Sequence, residues 1–97
     1  MTRRSTQASV GRGKRSREEI KRILEEAFRR EFPHDTVDIS DGYKENIHVV
    51  TVSRRFDDMS EADKQDLMWG IIDGTPLLDR EKQMISLVYP VGVAEIK

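Results

Sequence analysis

The feature that most constrains this chain is a strand-like run that leads through a short turn into a helix. Ile47-His48-Val49-Val50-Thr51-Val52-Ser53 is rich in β-branched residues and suits a pleated strand buried on at least one face. After the turn Arg54-Arg55-Phe56-Asp57-Asp58, Ser60 opens a helix. Its hydroxyl can accept from an early amide, and Asp63 holds the capping-box position, where the helix dipole favours a carboxylate. Leu67, Met68, Ile71 and Ile72 then recur at helical spacing. An apolar strand face and an apolar helix stripe on so short a tether bury their surfaces most simply against each other, so the expected unit is a helix laid over a sheet.

The other elements follow from caps and periodicity. Ser16-Arg17-Glu18-Glu19 is a capping box, and Ile20, Ile23, Leu24, Ala27 and Phe28 form one apolar stripe. Pro33 ends that helix by Glu31 or Phe32. Thr36 to Ser40 alternates as a strand with one wet face, and the polar turn Asp41 to Asn46 joins it to the Ile47 strand as an antiparallel hairpin. Gly74 suits a left-handed helix cap, and Pro76 prevents continuation. Asp79 to Gln83 is a charged loop or helical turn. Met84 to Tyr89 is a third strand closed by Pro90, and the tail from Val91 either extends it or lies loose. The predicted fold is α+β, ordered αββαβ, with a three-stranded sheet and two helices packed on one face.

Composition bounds what such a fold can do. The 97 residues make one small domain, and the charged and hydrophobic fractions are equal at 36%. With no cysteine there is no disulfide framework, thiolate metal site or thiol nucleophile in the chain. No apolar run approaches the ~18 residues of a membrane helix, and the expectation is a soluble, cytoplasmic protein. The net charge of −1 hides an asymmetry. Residues 1–15 carry Arg3, Arg4, Arg12, Lys14 and Arg15 with no acid, whereas the remaining residues hold twelve basic and eighteen acidic side chains, a charge of −6. Residues 1–15 are therefore read as a disordered basic tail, either a phosphate-touching arm or a leader without a role, and residues 16–97 as the folded domain.

Candidate chemistry is sparse. His34 follows Pro33 in a turn, and His48 sits in a strand without a ligand cluster, so neither marks a metal site beyond His48 as a lone candidate. The serines lack a glycine elbow with a neighbouring base. Asp57-Asp58 reads as a helix-start pair, and Gly11-Arg12-Gly13-Lys14 has no preceding strand to make it a phosphate loop. No enzyme is read from these residues. Phe56 is either a core anchor or a contact residue. Trp69, flanking its helix stripe, is either a contact residue or a cap on the core edge.

The run Val49-Val50-Thr51-Val52-Ser53, Phe56, Ser60 and the helix from Lys64 to Ile72 together resemble the BolA-like family, small proteins whose fold is similar to type II KH domains. The likeness covers roughly residues 16 to 72 and the third strand. It implies a non-enzymatic regulatory or adaptor role through protein contacts, with Phe56, Met59 and Trp69 as the candidate surface. It also implies partnership with a monothiol glutaredoxin around a 2Fe-2S cluster. The family histidine that ligates that cluster falls near Ile85, so no cofactor is expected here unless His48 substitutes. Further departures are Asp58 in place of the usual glycine, Lys64 and Gln65 in place of an Arg-His pair, a longer segment before the third strand and no closing helix. The KH likeness implies an alternative, nucleic-acid binding, although no GXXG loop is present. That role would fall to Arg54 and Arg55 with the tail residues Arg3, Arg4, Arg12, Lys14 and Arg15. The expected state is a monomer or weak dimer.

Overall fold

The computed structural model of the chain describes residues 15–96. Helix α1 (Arg17–Glu31) starts as its capping box requires: the Ser16 hydroxyl accepts from the Glu19 amide at 3.1 Å, and the Glu19 carboxylate accepts from the Ser16 amide at 2.9 Å. Ile20, Leu24 and Phe28, spaced by four, are its buried line, and Phe32 extends that line past the helix end. Strands β1 (Thr36–Asp41) and β2 (Ile47–Val52) form the expected antiparallel hairpin, from Thr36 opposite Val52 to Asp41 opposite Ile47. Strand β3 (Ile85–Val91) lies parallel to β2 on its other side, giving the order β1-β2-β3. A parallel neighbour needs a long crossover. Helix α2 (Glu61–Asp73) and the short α3 (Asp79–Lys82) supply it.

The result is an α+β domain with a three-stranded mixed sheet and two main helices. Ile47, Val49 and Thr51 point into the core, which also holds Phe56, Met68, Ile72, Leu77 and Ile85. His48, Val50 and Val52 alternate to the opposite sheet face, beside Leu87 and Tyr89, which are 41% and 52% exposed. A register shift between Ile47 and His48 pairs them with Ile85 and Leu87, leaving Ser86 as an extra residue in β3.

Two of the expected element ends change. Strand β3 runs through Pro90 instead of ending before it. It is an edge strand, where a missing amide donor removes no ladder bond. Gly74 does not take the left-handed conformation, having φ −80°. Instead its amide reaches the Gly70 and Ile71 carbonyls, and the Thr75 hydroxyl donates to the Ile72 carbonyl at 2.6 Å. The tail extends the strand by Val91, opposite Val52, and then turns: Val93–Ile96 forms a 3-10 turn, and the Asp57 carboxylate accepts the Ala94 amide at 3.0 Å. Arg3, Arg4, Arg12 and Lys14 lie outside the described residues. Arg15, grouped with them by charge, is tied to the domain by its guanidinium, 2.8 Å from the Glu81 carboxylate.

Candidate protein-contact site

Strand β2 passes into a 3-10 turn, Arg54–Phe56, because Ser53 is built to turn the chain. Its hydroxyl accepts the Arg55 amide at 3.1 Å and its carbonyl accepts the Phe56 amide at 3.2 Å. This drives the Phe56 ring inward, fully buried and 5.5 Å from the Phe32 ring. Phe56 is thus removed from the contact set: it is a core anchor. Arg55 is also committed. Its guanidinium stacks 4.5 Å from the Phe32 ring centre and donates to the Glu31 carbonyl at 3.1 Å and the Glu31 carboxylate at 3.2 Å. It caps the C-terminal end of α1, where unpaired carbonyls favour a cation. Both arginines remain exposed, and Arg55 is the one that holds an ion pair, with Glu31.

Met59 and Trp69 are half-buried and both pack against the core. Trp69 lies one helical turn from Gln65, on the same flank of α2. The Gln65 amide donates to the Val88 carbonyl of β3 at 3.0 Å, so this flank faces the sheet edge and shields it. Trp69 therefore belongs to the edge of the core beside β3, and with Phe56 buried the three expected contact residues do not form one exposed surface. Lys64 is buried on the core face of α2 and pairs with Glu61 at 3.0 Å.

His48 is an ordinary sheet residue with a packing role. Its cross-strand neighbours are Ser40 and Leu87, and its ring lies over Gly42, where an added Cβ would sit 2.4 Å from Nε2. A side chain at position 42 would have to push this imidazole aside. Ile85, near which the resemblance would put a histidine, is a buried core residue. Among the described residues no cluster of three or more histidine, cysteine or acidic side chains could hold a metal ion. Ile85 carries no donor atom for a metal, and His48 is the imidazole in the sheet.

The charged groups cluster at the N-terminal ends of α1 and α3. Arg17 donates to the Asp41 carboxylate at 2.8 Å and to the Glu45 and Asn46 carbonyls, locking α1 to the hairpin turn. The Arg17 bond, reinforced by Lys21 at 3.1 Å, holds the Asp41 carboxyl below the usual carboxylate range, and the same Asp41 bond raises the Lys21 ammonium. Glu81 is buried and caps α3 by accepting the Leu78 amide at 2.8 Å. Burial alone would push its carboxyl up, but the Leu78 amide and the Arg15 guanidinium outweigh it and hold it low.

The feature that the sequence reading missed lies between the two main helices. Each helix carries a wider apolar arc than the sheet covers. Ile20, Leu24 and Phe28 face the sheet from α1, as Met68 and Ile72 do from α2. Ile23 and Ala27, with Leu67 and Ile71, are left half-buried on the facing flanks. They line an open groove of about 550 Å³. Glu26 and Arg30 of α1 and Asp66 of α2 stand on its rims, and Gly70, Gly74 and Pro76 complete its wall. Above Gly70 there is open space: a Cβ there would meet nothing within 4 Å. The signal in the sequence was Gly70 itself, an unexplained glycine inside a helix, where it costs about 1 kcal/mol relative to alanine. Among the described residues no helix is long and apolar enough to cross a membrane. Compared with family models, curated proteins and solved structures, the chain matches none.

Proposed function

We propose that this chain is a non-enzymatic adaptor or regulatory domain of BolA-like shape that works by holding a protein partner in the groove between α1 and α2. One observation carries this reading: an apolar floor of Ile23, Ala27, Leu67 and Ile71 remains half-exposed beside an α2 wall that Gly70 keeps free of side chain. A small residue at such a place lets another backbone approach closely, and an apolar floor with a polar rim is the usual anatomy of a contact site. The commitment of Arg55 to Glu31 and Phe32 weighs against the nucleic-acid alternative. Ile85, a buried apolar residue without a donor atom, weighs against a glutaredoxin-type role.

The test is site-specific photocrosslinking in the cell that makes the protein. A photoreactive residue replaces Gly70 in one sample and Asp38, on the opposite sheet face, in another. A discrete protein adduct from position 70, several-fold stronger than from position 38 and lost with Ala27→Glu, is expected. Equal adducts from both positions would overturn the reading, as would steeply salt-dependent nucleic-acid binding that Arg54→Ala abolishes.

A further inference from the structure

The groove between α1 and α2 is open and carries acidic side chains on both helices. Glu26 of α1 and Asp66 of α2 stand on opposite rims, and neither makes an ion pair among the described residues. The folded part is acidic overall, whereas residues 1–14 carry four cations and no acid: Arg3, Arg4, Arg12 and Lys14. Those residues lie outside the described structure, but the place where they join it is fixed. Arg15 is pinned by Glu81 beside the start of α1, in a hollow it shares with Ile20 and Met84.

Reach is not limiting. From Arg15 to Ile23 is eight residues along α1, about 12 Å, and to Arg30 about 22 Å, at 1.5 Å per residue. At roughly 3.3 Å per extended residue, Val10 reaches about 16 Å from Arg15, enough for Ile23, and Arg4 and Arg3 reach about 36–40 Å, enough for Glu26. Gly11 and Gly13 lie just before the anchored Arg15 and permit the reversal needed to run back along α1. Val10 is the one branched apolar residue in the segment, a match for the floor of Ile23, Ala27, Leu67 and Ile71. A tether this short raises the local concentration of the segment to roughly millimolar, so weak contacts suffice.

We infer that the basic N-terminal segment docks in cis along the α1–α2 groove, with Arg3 and Arg4 on the Glu26 and Asp66 rims and Val10 on the apolar floor beside Ile23. The inference deepens the adaptor reading, on which its regulatory meaning rests: any partner in the groove must displace the segment. It also fixes the chemistry of a competent partner, which must present a basic segment with an apolar residue in its middle.

The chain has no cysteine, so Ala8→Cys provides a single attachment point for a nitroxide on the full-length protein. Paramagnetic broadening of backbone amides is then read at low and high salt. Gly70, Ile71 and Ala27 are expected to lose most of their intensity while Asp38 and Val50, on the far sheet face, keep theirs. The loss should reverse near 1 M salt, where charge attraction is screened within about 3 Å. It should also reverse in two full-length variants: Arg3, Arg4, Arg12 and Lys14 all changed to Gln, and Glu26→Gln with Asp66→Asn. Equal broadening on both faces, or broadening indifferent to salt and to both variants, would overturn the proposal. So would broadening seen only when the label sits on a second copy, which would assign the groove to a segment from another chain. Because this test needs no partner, its failure leaves the crosslinking result to decide the adaptor reading, and its success with no crosslink would mean the segment is the sole occupant.

Discussion

The guanidinium of Arg55 lies 4.5 Å from the centre of the Phe32 ring while its nitrogens donate to Glu31. One side chain thereby closes the end of α1, covers an aromatic core residue and fixes the turn that buries Phe56. Arg55→Lys keeps the charge but loses the flat face and the fork of donors. It should cost about 1 kcal/mol, the scale of an exposed cation–π contact plus a cap. Chemical denaturation of Arg55→Lys against Arg55→Ala checks this. A lysine variant as stable as the parent would show that charge alone does the work.

Thr51 is fully buried, and its hydroxyl is the one buried side-chain oxygen among the described residues without a hydrogen-bond partner. A buried polar group left unpaired costs on the order of 1–3 kcal/mol. Thr51→Val retains the shape and the branched strand preference and should raise stability by about 1 kcal/mol. Thermal unfolding should then shift upward by several degrees, given a domain of this size.

Asp41 confers acid sensitivity on the α1–hairpin junction. Its carboxyl titrates lower in the folded protein than its ordinary 3.8, chiefly through the Arg17 hydrogen bond. A depressed folded value gives stability that is fully present above pH 3.8 and is lost as pH falls through the folded value. Lys21, raised above its ordinary 10.5, contributes below that pH and loses its contribution as pH rises through its own folded value. The stability gap between the parent and Asp41→Asn should therefore be constant from about pH 5 to 9 and shrink below pH 3.8. A gap that widens in acid would contradict the assignment.

Gly70 offers a direct measure of the groove. An added Cβ meets nothing within 4 Å, so Gly70→Ala should gain the helix preference of alanine, about 1 kcal/mol, without strain. Fluorescence-monitored urea unfolding through Trp69 reports it. A loss of stability would mean that the helices close over the groove in solution.

Much of the fold was legible because its signals are local. Ser16 and Ser60 sit at their caps, the Ile20-Leu24-Phe28 line repeats every four residues, and the hairpin register follows from alternation on either side of a polar turn. These depend on neighbours a few residues away. Other features depended on residues brought together only by folding. Pro90 could remain in a strand because β3 is an edge, and nothing near Pro90 in the chain says which strand will be an edge. Phe56 read as a core anchor or a contact residue, and Arg55 as a possible nucleic-acid contact, until Phe32, from another element, packed against one and stacked on the other. Glu81 was one charge in a loop or helical turn until Arg15, far away in sequence, met it. The groove is the clearest case. The sequence by itself determined the apolar arcs of α1 and α2, since helical period places Ile23, Ala27, Leu67 and Ile71 on their flanks. Only the tertiary structure decided that a sheet of three strands buries the centre of each arc and leaves the facing flanks half-covered, because that depends on the spacing of two helices that no local interaction sets.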